Sequence, residues 1–252
     1  MKKTIFVSGG SKRIGKSICE YFHKNDFNII CHFNNSEKEA ENLKDQLNTE
    51  RENSCEIIQY DLNDIDGINN FCNEVKDIFG RLDVLVNNAS TFYSNDLEIN
   101  EGSNWNDLIN SNVKAPYYLV SNFKDELKKN YGSIVNITDA MVIRGMEKFP
   151  IYSIAKGGLE TITKSLARKL APEIRVNGVA PGAILWPEQN PDPDEKILMN
   201  IPLGRIGSAE DISSAVFHLV ENKYITGQII RVDGGRSSVS YTHLRAHETP
   251  IN

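Results

Sequence analysis

The segment Tyr152-Ser-Ile-Ala-Lys156 sets a phenol and an ammonium four residues apart. On a helix that spacing puts the two side chains on nearly one face, about 6 Å apart along the axis. A phenol with its ordinary pKa of about 10 is a poor proton-transfer partner at neutral pH, whereas a close ammonium favours the phenolate and lowers that pKa. Such a pair can trade protons with a bound substrate. The same spacing occurs on many solvated helix faces, and three further features single this one out. Asp139 stands where a fifth strand would end, the place where open α/β sheets put their ligand crevice. Asn112 lies in a preceding helical segment, and Asn87-Asn-Ala-Ser90 closes a fourth strand at the same edge. Packing alone does not call for four polar elements at one sheet edge.

A second run with chemical meaning is Val7-Ser-Gly-Gly-Ser-Lys-Arg-Ile-Gly15, directly after a first strand and before a first helix. Unpaired N–H groups and the helix dipole make such a junction an anion site, and Gly9 and Gly15 allow close approach of a pyrophosphate. A lone glycine pattern is compatible with a plain tight turn; its placement points to a dinucleotide. Arg13 sits where NAD-type turns place glycine, and the second strand ends in His32-Phe-Asn-Asn-Ser36 without the carboxylate that would hold a ribose hydroxyl. With Arg13, Asn34, Asn35 and Ser36 as donors for a 2′-phosphate, the expected coenzyme is NADPH.

The elements that must position these residues alternate. Short β-type runs fall at 4–8, 28–33, 56–60, 84–87, 132–138, 175–180 and 228–232, with helical periodicity between them, including 14–25, 64–79, 105–127, 151–170 and 209–220. Ser36 with Glu39 predicts a capping box for a polar helix running to about Thr49, and Gly80 predicts a helix stop. Strand–helix alternation predicts a doubly wound, parallel, seven-stranded α/β sheet with helices on both faces, one domain over residues 1–238. Pro181 to Gly207, with five prolines, is a long excursion of the kind that serves as a lid. Residues 239–252 carry no apolar face and are expected to be a disordered or non-native tail.

Composition narrows the classes. A net charge of −6 argues against a nucleic-acid partner. The longest apolar runs are far shorter than the roughly 20 residues a membrane helix needs, and Met1-Lys-Lys-Thr4 offers no signal-peptide pattern, so a cytoplasmic protein is expected. Cys19, Cys31, Cys55 and Cys72 form no C-x-x-C pair and suggest reduced, partly buried thiols. His243 and His247 lack a third ligand, and no metal is expected.

Taken together, the Tyr152/Lys156 pair, Asn87 to Ser90, the Asn112 segment, Val176-Asn-Gly-Val-Ala-Pro-Gly-Ala-Ile184 and Ile225-Thr-Gly-Gln-Ile-Ile-Arg-Val-Asp-Gly-Gly235 resemble the short-chain dehydrogenase/reductase superfamily over nearly the whole chain up to Ser238. Within it the chain is most similar to the pteridine reductases, with arginine in the phosphate turn, Asn87 to Tyr93, and Asp139 thirteen residues before Tyr152, where most relatives carry serine. The resemblance implies a Rossmann fold and hydride transfer from NADPH to a C=N bond of a dihydropterin or dihydrofolate. It implies Tyr152 as proton donor, Lys156 on the nicotinamide ribose, Asp139 orienting Tyr152 and substrate, and Asn112 supporting a water chain. Coenzyme contacts would come from Gly9, Ser11, Arg13, Ile14, Gly15, His32 to Ser36, Asp61, Leu62, Asn88, Ala89, Ser90, Thr138, Tyr152, Lys156, Pro181, Gly182 and Ile184. Substrate contacts would come from Ser90, Asp139, Tyr152, Leu185, Trp186 and Pro187, with Phe92 stacked on the pterin ring, a residue that loop packing would equally explain. A homotetramer or dimer built on long helices is also implied. The rival readings are a carbonyl reductase acting on an oxoacyl, sugar or steroid ketone, and a non-catalytic NADP-binding scaffold.

Overall fold

The structure, a computed structural model, describes residues 1–94, 103–184 and 195–239. Four residues, Thr4–Val7, make β1, all buried, because a strand covered on both faces reads as a continuous apolar run. The other strands are β2 Asn28–Phe33, β3 Cys55–Gln59, β4 Val84–Asn87, β5 Ser133–Ile137, β6 Arg175–Pro181 and β7 Ile229–Val232. They form one sheet in the order β3-β2-β1-β4-β5-β6-β7, every pair parallel. The order reverses between β1 and β4, so a crevice opens beyond the carboxyl ends of those two strands.

The helices are α1 Arg13–Lys24, α2 Glu37–Glu50, α3 Ile68–Phe79, α4 Ser103–Ile109, α5 Ala115–Lys129, α6 Pro150–Leu170, α7 Glu195–Leu198 and α8 Ala209–Glu221. Apolar residues of α1, α2 and α8, among them Ile18, Phe22, Leu43 and Leu219, pack on one side of the sheet. Those of α3, α5 and α6, among them Phe71, Phe123 and Leu166, pack on the other. The seven-stranded doubly wound arrangement expected from the alternation is therefore the one adopted. Gly80 ends α3 with φ +61°, as a C-terminal glycine should.

Local structure departs from expectation in two places. The helical stretches expected around 105 to 127 are present as α4 and α5, but they are joined by a π-helical turn, Asn110–Lys114, that the periodicity does not show. At the start of α2, Ser36 makes no side-chain cap; its hydroxyl lies 2.9 Å from that of Ser11 in the phosphate turn, and Glu39 reaches out to Lys12 at 2.7 Å. Both residues of the expected capping box are thus drawn to the phosphate turn, while a true capping box forms at Ser208 and Asp211 before α8. Among the described residues no helix is long and apolar enough to cross a membrane. Residues 240–252, including His243 and His247, lie outside the described residues.

Candidate active site

A cleft of about 590 Å³ follows the crevice at the carboxyl ends of the strands. Its floor is the turn from β1 into α1. Gly9 has φ +61°, and a Cβ on Gly15 would lie 2.1 Å from the Gly9 carbonyl oxygen, so the turn closes onto the helix only because both are glycine. Arg13 adopts φ +51°, the left-handed conformation for which other turns use glycine. Two neighbours hold the turn. From β2, the His32 carbonyl accepts the Gly10 N–H at 2.8 Å and its Nδ1 accepts the Gly9 N–H at 3.0 Å. From beyond β4, Asn88 Nδ2 donates to the Ser8 and Gly9 carbonyls, both at 2.9 Å. Arg13, Ile14 and Gly15, in the first turn of α1 where backbone N–H groups lack partners within the helix, line the cleft.

Beside the turn, Ser11, Arg13, Asn34, Asn35 and Ser36 line one end of the cleft, with no carboxylate from β2 or its following loop among the lining residues. His32 is 2% exposed, and burial pushes its imidazole down to about 4. Phe33, Asp61 and Leu62 continue the wall, and Ala89, Thr138, Pro181, Gly182 and Ile184 line the side towards β5 and β6. Thr138 is pinned by its N–H to the Val179 carbonyl at 2.8 Å. A Cβ on Gly182 would meet Asp233 Cα at 2.6 Å, so this wall too requires glycine.

The other end of the cleft belongs to α6. Pro150 opens the helix where no N–H partner is needed. Further along, Thr163 is fastened to the sheet by Asn136 Nδ2 at 2.8 Å, and Asn136 in turn accepts from Asn87 at 2.7 Å. That register presents Tyr152 and Lys156, 6% and 2% exposed, to the cleft. The Tyr152 hydroxyl donates to Asp139 Oδ2 at 3.3 Å, and Asp139 Oδ1 accepts the Met141 N–H at 2.7 Å. Lys156 Nζ donates to the Ile137 carbonyl at 2.9 Å and lies 5.7 Å from the centre of the Tyr152 ring.

This geometry reverses one expectation. Burial and the Asp139 carboxylate push the Tyr152 phenol above its ordinary pKa, and Lys156, whose ammonium donates to the Ile137 carbonyl, is not among the groups that lower it. Burial also raises the Asp139 carboxyl and pushes Lys156 down to about 8. Tyr152 thus stays protonated, its hydroxyl beside the cleft and hydrogen-bonded to the Asp139 carboxyl group.

Ser90 donates to Asn112 Oδ1 at 2.6 Å, and Asn112, fully buried by the π-helical turn, donates to the Thr91 and Leu108 carbonyls, both at 3.0 Å. Asn112 does not line the cleft itself; it holds Ser90, which does. Phe92, 56% exposed, stacks on Phe149 with ring centres 4.5 Å apart and meets Tyr152 edge-on at 4.8 Å. Phe149 escaped the sequence reading. The available signal was an aromatic residue just before the proline that starts the tyrosine helix. Leu185, Trp186 and Pro187 lie outside the described residues.

An anion-binding turn and a buried phenol at opposite ends of one cleft, on a sheet wound this way, define a nicotinamide-dependent oxidoreductase of the short-chain class. Residues 9–237 match the family described as Enoyl-(Acyl carrier protein) reductase, and the chain belongs to this branch of the short-chain dehydrogenase/reductases. It is 36% identical to Pteridine reductase 1 of Leishmania tarentolae, over 92% of this chain and 95% of that protein. It is 34% identical to the 3-oxoacyl-[acyl-carrier-protein] reductase FabG of Staphylococcus aureus strain Mu50, over 93% and 98%. The uncharacterized oxidoreductase YmfI of Bacillus subtilis is 32% identical, over 93% and 99%.

Proposed function

We propose that the chain is an NADPH-dependent reductase of a dihydropterin or dihydrofolate. The observation that carries this reading is the hydrogen bond from the Tyr152 hydroxyl to Asp139, a carboxylate where resemblance to the wider superfamily implies serine. A pterin ring carries N–H donors beside its reducible C=N bond, and a carboxylate can accept one of them where a serine hydroxyl cannot match its charge. The exposed face of Phe92 beside Tyr152 suits a flat ring. The coenzyme would supply the hydride. Tyr152 would give its proton to the substrate nitrogen, Asp139 would hold that hydroxyl and the substrate, and Lys156 would hold the nicotinamide ribose. Asn112 would act through Ser90. The paired hydroxyls of Ser11 and Ser36, with Arg13 and no acidic neighbour from β2, support NADPH over NADH.

A second reading is a carbonyl reductase of the oxoacyl type. Similarity to the 3-oxoacyl reductases, at almost the identity shown by the pteridine reductase and with a better covered partner chain, favours it. Tyr152 would then protonate a carbonyl oxygen. A panel of dihydrobiopterin, dihydrofolate and a 3-oxoacyl thioester, run with NADPH and NADH, separates the two. Turnover of the pterin or folate is expected, and turnover of the thioester alone would hand the assignment to the carbonyl reading. Asp139→Ser is expected to abolish pterin reduction, whereas a carbonyl reductase would keep or gain activity. No turnover with any substrate, despite tight NADPH binding, would support a non-catalytic NADP-binding scaffold.

A further inference from the structure

His32 stands at the carboxyl end of β2, beneath the phosphate turn, and both its ring nitrogens are engaged. Nδ1 accepts the Gly9 N–H at 3.0 Å, which requires that nitrogen to be unprotonated. Nε2 lies 3.0 Å from the Tyr60 carbonyl, an acceptor, so it must carry the proton. One neutral tautomer satisfies both bonds. The surroundings favour it. β1 and α3 present the rings of Phe6 and Phe71, with Phe71 edge-on at 5.6 Å, and burial disfavours a charged imidazole. Asp61, beyond the end of β3, is the charge acting on the ring, and the Tyr60 phenol turns away to Asp64.

The backbone of the same residue accepts the Gly10 N–H at 2.8 Å. His32 therefore takes two successive N–H groups of the turn, so an anion must be met by those that follow, from Ser11 into the first turn of α1. It also ties the turn to Tyr60, next to the Asp61 and Leu62 wall.

We propose that His32 is a positioning residue for the coenzyme, setting the shape of the phosphate turn and its spacing from the opposite wall through a fixed neutral tautomer, without itself carrying charge to the phosphates. This rests on the coenzyme reading of the cleft. NADP⁺ affinity by calorimetry tests it on the full chain. His32→Leu and His32→Gln both lack an acceptor at the Nδ1 position and leave the Gly9 N–H without a partner, so each is expected to weaken NADP⁺ binding by about 10-fold or more. His32→Asn puts an amide oxygen where Nδ1 was and is expected to stay within about 3-fold of the wild type. Imidazole ¹⁵N shifts, with the His32 signal identified by its loss in His32→Asn, are expected to show the Nε2-protonated tautomer near neutral pH in the coenzyme-free protein. A wild type that binds no NADP⁺ would sink the coenzyme reading itself. A wild type that binds while Leu and Gln bind equally tightly, or a His32 signal with Nδ1 protonated, would overturn the inference alone. If His32→Leu does not fold, His32→Gln and the tautomer decide it.

Discussion

Tyr152, Asp139 and Lys156 form a small proton inventory. The Tyr152 hydroxyl lines the cleft and is held by Asp139, so Tyr152→Phe should lower kcat by about 100-fold or more while leaving NADP⁺ affinity nearly unchanged, by steady-state kinetics and calorimetry. Lys156 sets a pH limit. Burial holds its pKa down to about 8 in the coenzyme-free protein, and an anionic coenzyme must raise it. Binding above about 8 therefore takes up a proton, so NADP⁺ affinity should fall as pH rises through that value. Lys156→Arg, which does not titrate there, should flatten the profile. Without coenzyme the sign for stability is opposite. The unfolded chain keeps this proton to about pH 10.4, so between about 8 and that value the folded form gains stability with rising pH. The Tyr152–Asp139 relation was legible in the thirteen-residue spacing. The direction of the phenol's pKa was not, because it depends on burial and on how close the Asp139 carboxylate lies in the folded chain. Phe149 bears no chemistry of its own and was silent in the sequence; Phe149→Ala should raise substrate KM several-fold by removing the ring on which Phe92 rests.

At the scale of elements, the turn between β1 and α1 is the tightest junction. Gly15→Ala sets a methyl against the Gly9 carbonyl and 2.7 Å from Asn88 Nδ2. Overpacking of this kind costs about 1–3 kcal/mol. The expected outcome is a lower melting temperature and an NADP⁺ affinity at least about 10-fold weaker, since the methyl pushes on the atoms that shape the anion site. Strand positions were readable because central parallel strands are short, continuous apolar runs bounded by polar ends, as in β1 and β4. The capping box at Ser36 was misread because sequence shows a hydroxyl's local partners but not the competing hydroxyl of Ser11, 25 residues away. The π-helical turn at Asn110–Lys114 was invisible for a related reason. One added residue in a helix leaves composition and periodicity almost unchanged, and its use lies in tertiary contacts to Ser90 and Thr91.

For the whole molecule, Arg175 is a clamp remote from the cleft. From β6 it donates to the Leu219 and Val220 carbonyls at the end of α8, both at 2.6 Å, and to Ile225 ahead of β7 at 3.2 Å. Arg175→Ala leaves these carbonyls without that donor and should cost about 2 kcal/mol. For a chain of this size that is roughly 4–8 °C in melting temperature by calorimetry, with kcat at room temperature unchanged. The order of the strands was legible only as a class, since alternation implies a parallel sheet, while the switch between β1 and β4 comes from pairings far apart in sequence.

The two apolar layers on either side of the sheet have a consequence for diversification. The helix that follows the glycine turn grows from one layer, and the helix bearing the tyrosine and lysine grows from the other. The strands between them act as a stiff septum, so the surroundings of the acceptor can be remodelled without disturbing the dinucleotide seat. Chimeras that exchange residues 139–150 with a relative of different substrate should therefore inherit the donor's acceptor preference while keeping the host's nucleotide preference.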